Sequence, residues 1–231
     1  MTDIEKLFAY IDTISYPDSI KKVAGGIQGI AFFPGGKGTF DNSDILSNKS
    51  IMILGQDFDC EKNYQVSFNN RQEDTNKNPT WRNLQNLLKS IDKSPNDCFF
   101  TNAIMGVRNG EISTGKSPGF KDKKFLQDCQ NLFLYQIKIQ KPKAIFVLGK
   151  YTAEFLAPTS DQLSDWEKIS NFVTLDKKNI QIKKDVIFNN GVKSNLIILT
   201  HPSFQHLNVH RRSFNNFIGI EAEIKMAQEI I

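Results

Sequence analysis

The chain has 231 residues, 29 Lys and Arg against 25 Asp and Glu, a formal net charge of +4 and a pI of about 8.8. That length can bury a substantial core, and one domain over 1–231 is the expected organisation. No apolar run approaches the roughly 20 residues of a membrane helix, and Thr2–Asp3–Ile4–Glu5 lacks the charged and apolar regions of a secretory signal, so a cytoplasmic location without membrane contact is expected. The small basic excess is compatible with a polyanionic partner without selecting one. Cys60, Cys98 and Cys129 form no CxxC pair, so free, mostly buried thiols are expected rather than a disulfide framework, zinc site or iron–sulfur cluster.

In chain order, apolar residues at helical spacing predict a helix over 3–14 with Asp3 as its cap. The glycine-rich stretch Gly25–Gly38 reads as loops around a short apolar segment; it contains no GxGxxG or Walker pattern. Ser50–Gly55 reads as a buried strand, followed by a polar, Asn-rich loop to Pro79. Thr80 is expected to cap a helix to about Ser90, with Trp81, Leu84, Leu87 and Leu88 on its inner face. Asp97–Thr101 is the next strand and Asn102–Lys116 mostly loop. A long helix is expected over Lys121–Gln140, ended by Pro142, then a strand at Ala144–Leu148 and a short helix at Tyr151–Leu156. Residues 159–168 suggest another short helix. Phe172–Thr174 and Ile180–Phe188 read as a strand pair leading into Leu196–Leu199, and the chain from Val209 onward reads as helical.

Strands alternating with helices predict a three-layer α/β/α sandwich around a mainly parallel central sheet. In such sheets functional residues gather outside the carboxyl ends of the strands. Asp57, Asn102 and His201 each fall just after a predicted strand, as does Gly149. A lone Asp at a strand end is commonly a turn residue; a carboxylate, an amide and an imidazole at three such ends point to a site.

These residues lie in GQDFD (55–59), FFTNAIMGVRN (99–109), QKPKAIFVLGKYTAEFL (140–156) and HPSF (201–204), which in order and spacing resemble the uracil-DNA glycosylase superfamily from about Ser50 to Phe217. The resemblance implies a monofunctional DNA glycosylase that removes uracil or a related damaged base and leaves an abasic site, without metal or cofactor. It implies that Asp57 orients water and steadies the developing sugar cation. Asn102 would read the pyrimidine edge and His201 would stabilise charge on uracil O2. Gln56 and Phe58 belong by position to the base pocket, and Phe68 would be the ring stacked on the flipped base. Phe58 and Asp59 replace a Pro–Tyr pair of the best-known branch, where the Tyr excludes thymine. Cys129 falls where cluster-containing branches have one ligand, but the other ligands have no counterparts, so no cluster is expected.

The residue types suit that chemistry. A fixed carboxylate stabilises positive charge on the deoxyribose, and a donor at O2 stabilises negative charge on the departing base. The expected partner is DNA, bound by a monomer with the target base flipped out. In HPSFQHLNVHRR (201–212), Ser203 would support the loop or touch a phosphate, Leu207 or Phe204 would press into the stack, and His206, Arg211 and Arg212 would hold DNA. His206 and His210 lack a clear third ligand for a metal, and the Lys116–Lys124 run suits a solvated helix face as well as DNA. Two other readings use the same fold: a binding module without catalysis, and a glycosylase for a free nucleoside or a different modified base.

Overall fold

A computed structural model of the protein describes residues 1–23, 32–36 and 48–231. All of the Gly25–Gly38 stretch except 32–36 lies outside these described residues. In chain order the elements are α1 (Asp3–Thr13), β1 (Ile20–Lys21), β2 (Ile51–Gly55), α2 (Glu61–Asn70), α3 (Pro79–Lys89), β3 (Cys98–Asn102) and β4 (Val107–Arg108). They continue with α4 (Lys123–Gln140), β5 (Ala144–Leu148), α5 (Lys150–Leu156), α6 (Phe172–Lys177), β6 (Ile182–Ile187) and β7 (Lys193–Leu199). The last are α7 (Gln205–Asn208), β8 (Ser213–Phe214), β9 (Phe217–Ile218) and α8 (Gly219–Gln228).

The central sheet has the order β3-β2-β5-β7-β6; all neighbours run parallel except the β6–β7 pair. Its inner strands are continuous apolar runs because both faces are covered. Side chains alternate between faces with the pleat. Met52, Leu54, Ile145, Val147, Leu196 and Ile198 face a core shared with Leu7 and Ile11 of α1 and Phe125, Leu132 and Phe133 of α4. Ile51, Ile53, Phe146, Leu148, Ile197 and Leu199 face the opposite core, built with Trp81, Leu84 and Leu88 of α3 and Ala222 and Met226 of α8. The result is a mainly parallel sheet between two helical layers, as the periodicity predicts. The edge strand β6 is broken by a register shift between Lys183 and Val186, with Asp185 at φ 55°, which blunts an otherwise pairable edge.

Several expectations are corrected. The Asn-rich stretch before Pro79 contains α2, a helix so polar that Tyr64 is its buried residue. The 102–116 stretch is mostly loop, as expected, and carries the two-residue β4, antiparallel to β1. Helix α3 is capped by Asn78, whose side chain accepts from the Thr80 N–H, with Pro79 in the first turn; Thr80 is not the cap. Similarly α1 is capped by Thr2 in a capping box with Glu5, not by Asp3. Phe172–Thr174 begins α6, because Asn171 accepts from the Thr174 N–H and starts a helix where β-rich residues suggest a strand. Beyond Val209 the chain makes a 3₁₀ turn and the β8–β9 hairpin before α8; Asn215 at φ 53° supplies the tight turn.

Candidate active site

The carboxyl ends of β2, β3, β5 and β7 open onto a cleft of about 1180 Å³. Asp57 lies two residues beyond β2, Asn102 ends β3, and His201 lies two residues beyond β7; all three line the cleft. Gly55 and Asn102 are register partners, and the N–H groups of Ala103 and Ile104 donate to Gly55 and Gln56, so the two strand ends are tied. A Cβ at Gly55 would fall 2.3 Å from Asn102 Oδ1 and 3.0 Å from the Phe32 ring. Glycine is therefore needed for the amide to cross this strand end. At the next end Gly149 has φ 87°, a conformation strained for any side chain, and faces the His201 Cβ.

Asp57 is held by Arg108, whose Nε donates to Oδ2 at 2.6 Å with both side chains buried. The Asp59 N–H donates to Oδ1 at 3.2 Å. Burial pushes the Asp57 carboxyl above its ordinary range; the charge and hydrogen bond of Arg108 oppose that shift. Gln56 beside it donates from Nε2 to the Gly115 carbonyl at 3.1 Å, joining the 113–117 loop to the first motif.

The His201 ring places Nδ1 2.7 Å from Ser203 Oγ. Burial pushes its pKa down to about 4, with Arg108 acting in the same direction and Asp59 against it. The ring is thus neutral at pH 7. In the tautomer in which the Ser203 hydroxyl donates to Nδ1, the ring proton sits on Nε2 as a donor. Asn83 of α3 donates to the Pro202 carbonyl at 2.8 Å, which fixes the loop from the opposite helical layer.

Behind that loop lies a closed polar network. Thr200, immediately before His201, donates its N–H to Glu223 Oε1 at 2.6 Å and its hydroxyl to Oε2 at 3.1 Å. Arg212 Nη1 donates to the same Glu223 Oε1 at 2.8 Å and to the Ile198 carbonyl at 2.9 Å. Its Nε and Nη2 form a fork on Asp176, at 3.0 and 3.1 Å. Burial pushes the Glu223 carboxyl up, and Arg212 opposes it. The Arg212 side chain is 0% exposed, so the expectation that it holds DNA is corrected: its donors are spent on carboxylates and a carbonyl inside the protein. Phe172, a cleft residue, covers the guanidinium at 4.9 Å.

The other expected residues are distributed unevenly. Ser203, Phe204 and Arg211 line the cleft, while His206 and Leu207 are exposed on α7, Leu207 by 52%. Phe68 is not in the lining; it stacks on Tyr64 at 6.4 Å, and Tyr64 is the α2 ring that reaches the cleft. This corrects the stacking assignment: an approximate sequence offset misses the helical turn of α2. Phe58 is 1% exposed and packs between Phe33 and Tyr64, so it supports the cleft wall from the core. Sequence reasoning missed Lys150, Tyr151 and Phe172, all in the lining together with Asp59. It also missed the partnership of Arg108, although that residue lies inside the motif it singled out.

Among the described residues no group of three or more His, Cys, Asp or Glu is placed to hold a metal ion. The three cysteines are free and buried, and no described helix is long and apolar enough to cross a membrane.

Fold and cleft together define a class: an α/β domain presenting a carboxylate, an amide and a neutral imidazole at the ends of parallel strands. The family model described as the uracil DNA glycosylase superfamily matches residues 43–225, and the chain belongs to that superfamily. A search of curated proteins returns no match. Membership supports a function of the DNA glycosylase type.

Proposed function

We propose that this protein hydrolyses the N-glycosidic bond of uracil, or of a closely related damaged base, in DNA and leaves an abasic site. The supporting observation is the placing of Asp57, Asn102 and His201 from separate strands on one cleft. In this reading the flipped nucleotide enters with its sugar over Asp57 and its pyrimidine edge on the Asn102 amide. As the C1′–N1 bond lengthens, Asp57 stabilises the sugar cation and His201 Nε2–H donates to O2 of the departing base. A water then adds at C1′ and gives its proton to Asp57, while the bonding electron pair leaves with the base. The reading invokes neither cofactor nor metal.

Flipping costs a few kcal/mol. Contacts along the rim offset this: Lys150 and Arg211 at the cleft suit phosphates, and Leu207, exposed on α7, suits insertion between bases. Phe58 is turned into the core, and Asp59, at φ 70°, stands in the lining where the best-known branch carries its Tyr. A carboxylate is a smaller barrier than a phenol ring, so the reading extends to 5-substituted uracils. The test is mass-spectrometric detection of free base and abasic DNA across oligonucleotides bearing uracil, 5-substituted uracils and thymine. Uracil release supports the proposal; intact DNA with every base, in single and double strands, overturns it.

A further inference from the structure

Asp57 is the only catalytic carboxylate in the proposed reaction, and it is buried, an environment that favours its protonated form. The Arg108 guanidinium makes one contact to it, Nε to Oδ2, and spends its other ends on backbone: Nη1 on the Thr114 carbonyl at 2.7 Å and Nη2 on the Gly115 carbonyl at 3.0 Å. That single contact leaves Oδ1 without a charged partner among the described residues; it accepts from the Asp59 N–H at 3.2 Å, and the Ser117 side chain also interacts with the carboxylate. The arginine itself has no freedom to move. Its backbone pairs with Ile20 across the β1–β4 ribbon, and its N–H donates to the Asp59 carbonyl at 2.9 Å.

We propose that Arg108 is a positioning residue for the glycosylase reaction, holding Oδ2 of Asp57 so that Oδ1 is presented to the cleft as an ionised base. The proposal rests on the glycosylase reading of Asp57. A lysine at 108 carries the charge without the planar fork, so it cannot hold the carboxylate and both carbonyls of the 113–117 loop in one plane. Among the other titratable groups, Lys116 on the 113–117 loop is paired with Glu154, Lys150 lines the cleft, Asp59 lies on the same loop as Asp57, and His201 lies across from it. Asp59 brings a second carboxylate and His201 a neutral ring, and Arg108 is the cation in ion-pair contact with Asp57 among the described residues.

The test uses the full chain with Arg108→Gln and Arg108→Lys. Single-turnover uracil release is followed against pH, and the Asp57 carboxyl is titrated by carbon-13 NMR, its resonance assigned by loss in Asp57→Asn. Arg108→Gln is expected to raise the Asp57 midpoint, and with it the acidic limb of the rate profile, by at least about one pH unit, a tenfold change in the proton equilibrium. Arg108→Lys is expected to keep the midpoint near the parent's while lowering the plateau. Affinity for a 2′-fluoro-deoxyuridine oligonucleotide, in which the fluorine suppresses the sugar cation, should change less than threefold. Adding Arg108→Gln to Asp57→Asn should cost nothing further in rate. An unchanged Asp57 midpoint in Arg108→Gln overturns the proposal. If that variant does not fold, an Arg108→Lys protein matching the parent in rate and midpoint overturns it instead. The NMR midpoint needs no activity, so a parent that releases no uracil overturns the functional reading separately.

Discussion

Two buried arginines stand on either side of the cleft wall, and they do opposite things with the same chemistry. Arg212 closes its network: a fork on Asp176, a bond to Glu223, a bond to a backbone carbonyl, and no exposed surface. Arg108 leaves its network open: it touches one oxygen of Asp57, a residue that lines the cleft. A saturated ion network stores nothing for chemistry; its value lies in fixing what is attached to it, here Thr200 and the strand end that carries His201. An unsaturated one holds a reactive oxygen in place. The difference lies in how many carboxylate oxygens the arginine engages: one for Arg108, three for Arg212.

The largest expected effect comes from breaking the closed network. Arg212→Met leaves Asp176 and Glu223 buried without a counter-charge and should cost about 3–5 kcal/mol, read as a lowered urea midpoint. Replacing all three residues with apolar ones of similar volume should recover most of that loss. An unchanged midpoint in Arg212→Met would mean that the network carries no weight. The open pair should behave differently: Asp57→Asn is expected to reduce base release by roughly two orders of magnitude or more while the protein remains folded by circular dichroism. His201→Ala should cost about a hundredfold in rate, with DNA affinity largely retained.

His201 also gives a pH signature. Its folded pKa lies at about 4, below the ordinary 6.5, so the unfolded chain takes up the proton first. Stability from this group is present above pH 6.5 and is lost as pH falls through about 4. Denaturant titrations from pH 7.5 to 4.5 should show this decline in the parent and a shallower one in His201→Gln; parallel curves would contradict a ring held neutral in the folded protein. The smallest effect is expected at the rim. Arg211→Ala should reduce the slope of log affinity against log salt by about 1, and Arg212→Lys, if folded, should leave that slope alone.

Much of the fold was legible because the inner strands are buried on both faces, and a run such as Ile51–Leu54 or Ala144–Leu148 has few other uses. Helix α2 was not, since its sequence EKNYQVSFNN has almost no inward face, with Tyr64 as its buried residue and no side-chain cap at its start. Nor was α6, where a single capping Asn outweighs β-rich composition. At the site, Asp57, Asn102 and His201 could be found because strand ends are visible in sequence and their polar residues interrupt apolar runs. Arg108 and Arg212 could not be sorted: one lies 51 residues from its carboxylate, the other 36 from Asp176, and side chains of one type read alike until the fold brings partners to them. Phe68 failed for a different reason, since one turn of helix separates the ring that reaches the cleft from the ring behind it.

The most direct measurement is single-turnover release of uracil from an oligonucleotide by the parent, Asp57→Asn and His201→Ala, with all three shown to be folded. Release by the parent, reduced by roughly two orders of magnitude in both variants, is the expected result. Release that survives both substitutions, or none from the parent on single- or double-stranded DNA, would contradict the assignment of this cleft to glycosidic bond cleavage.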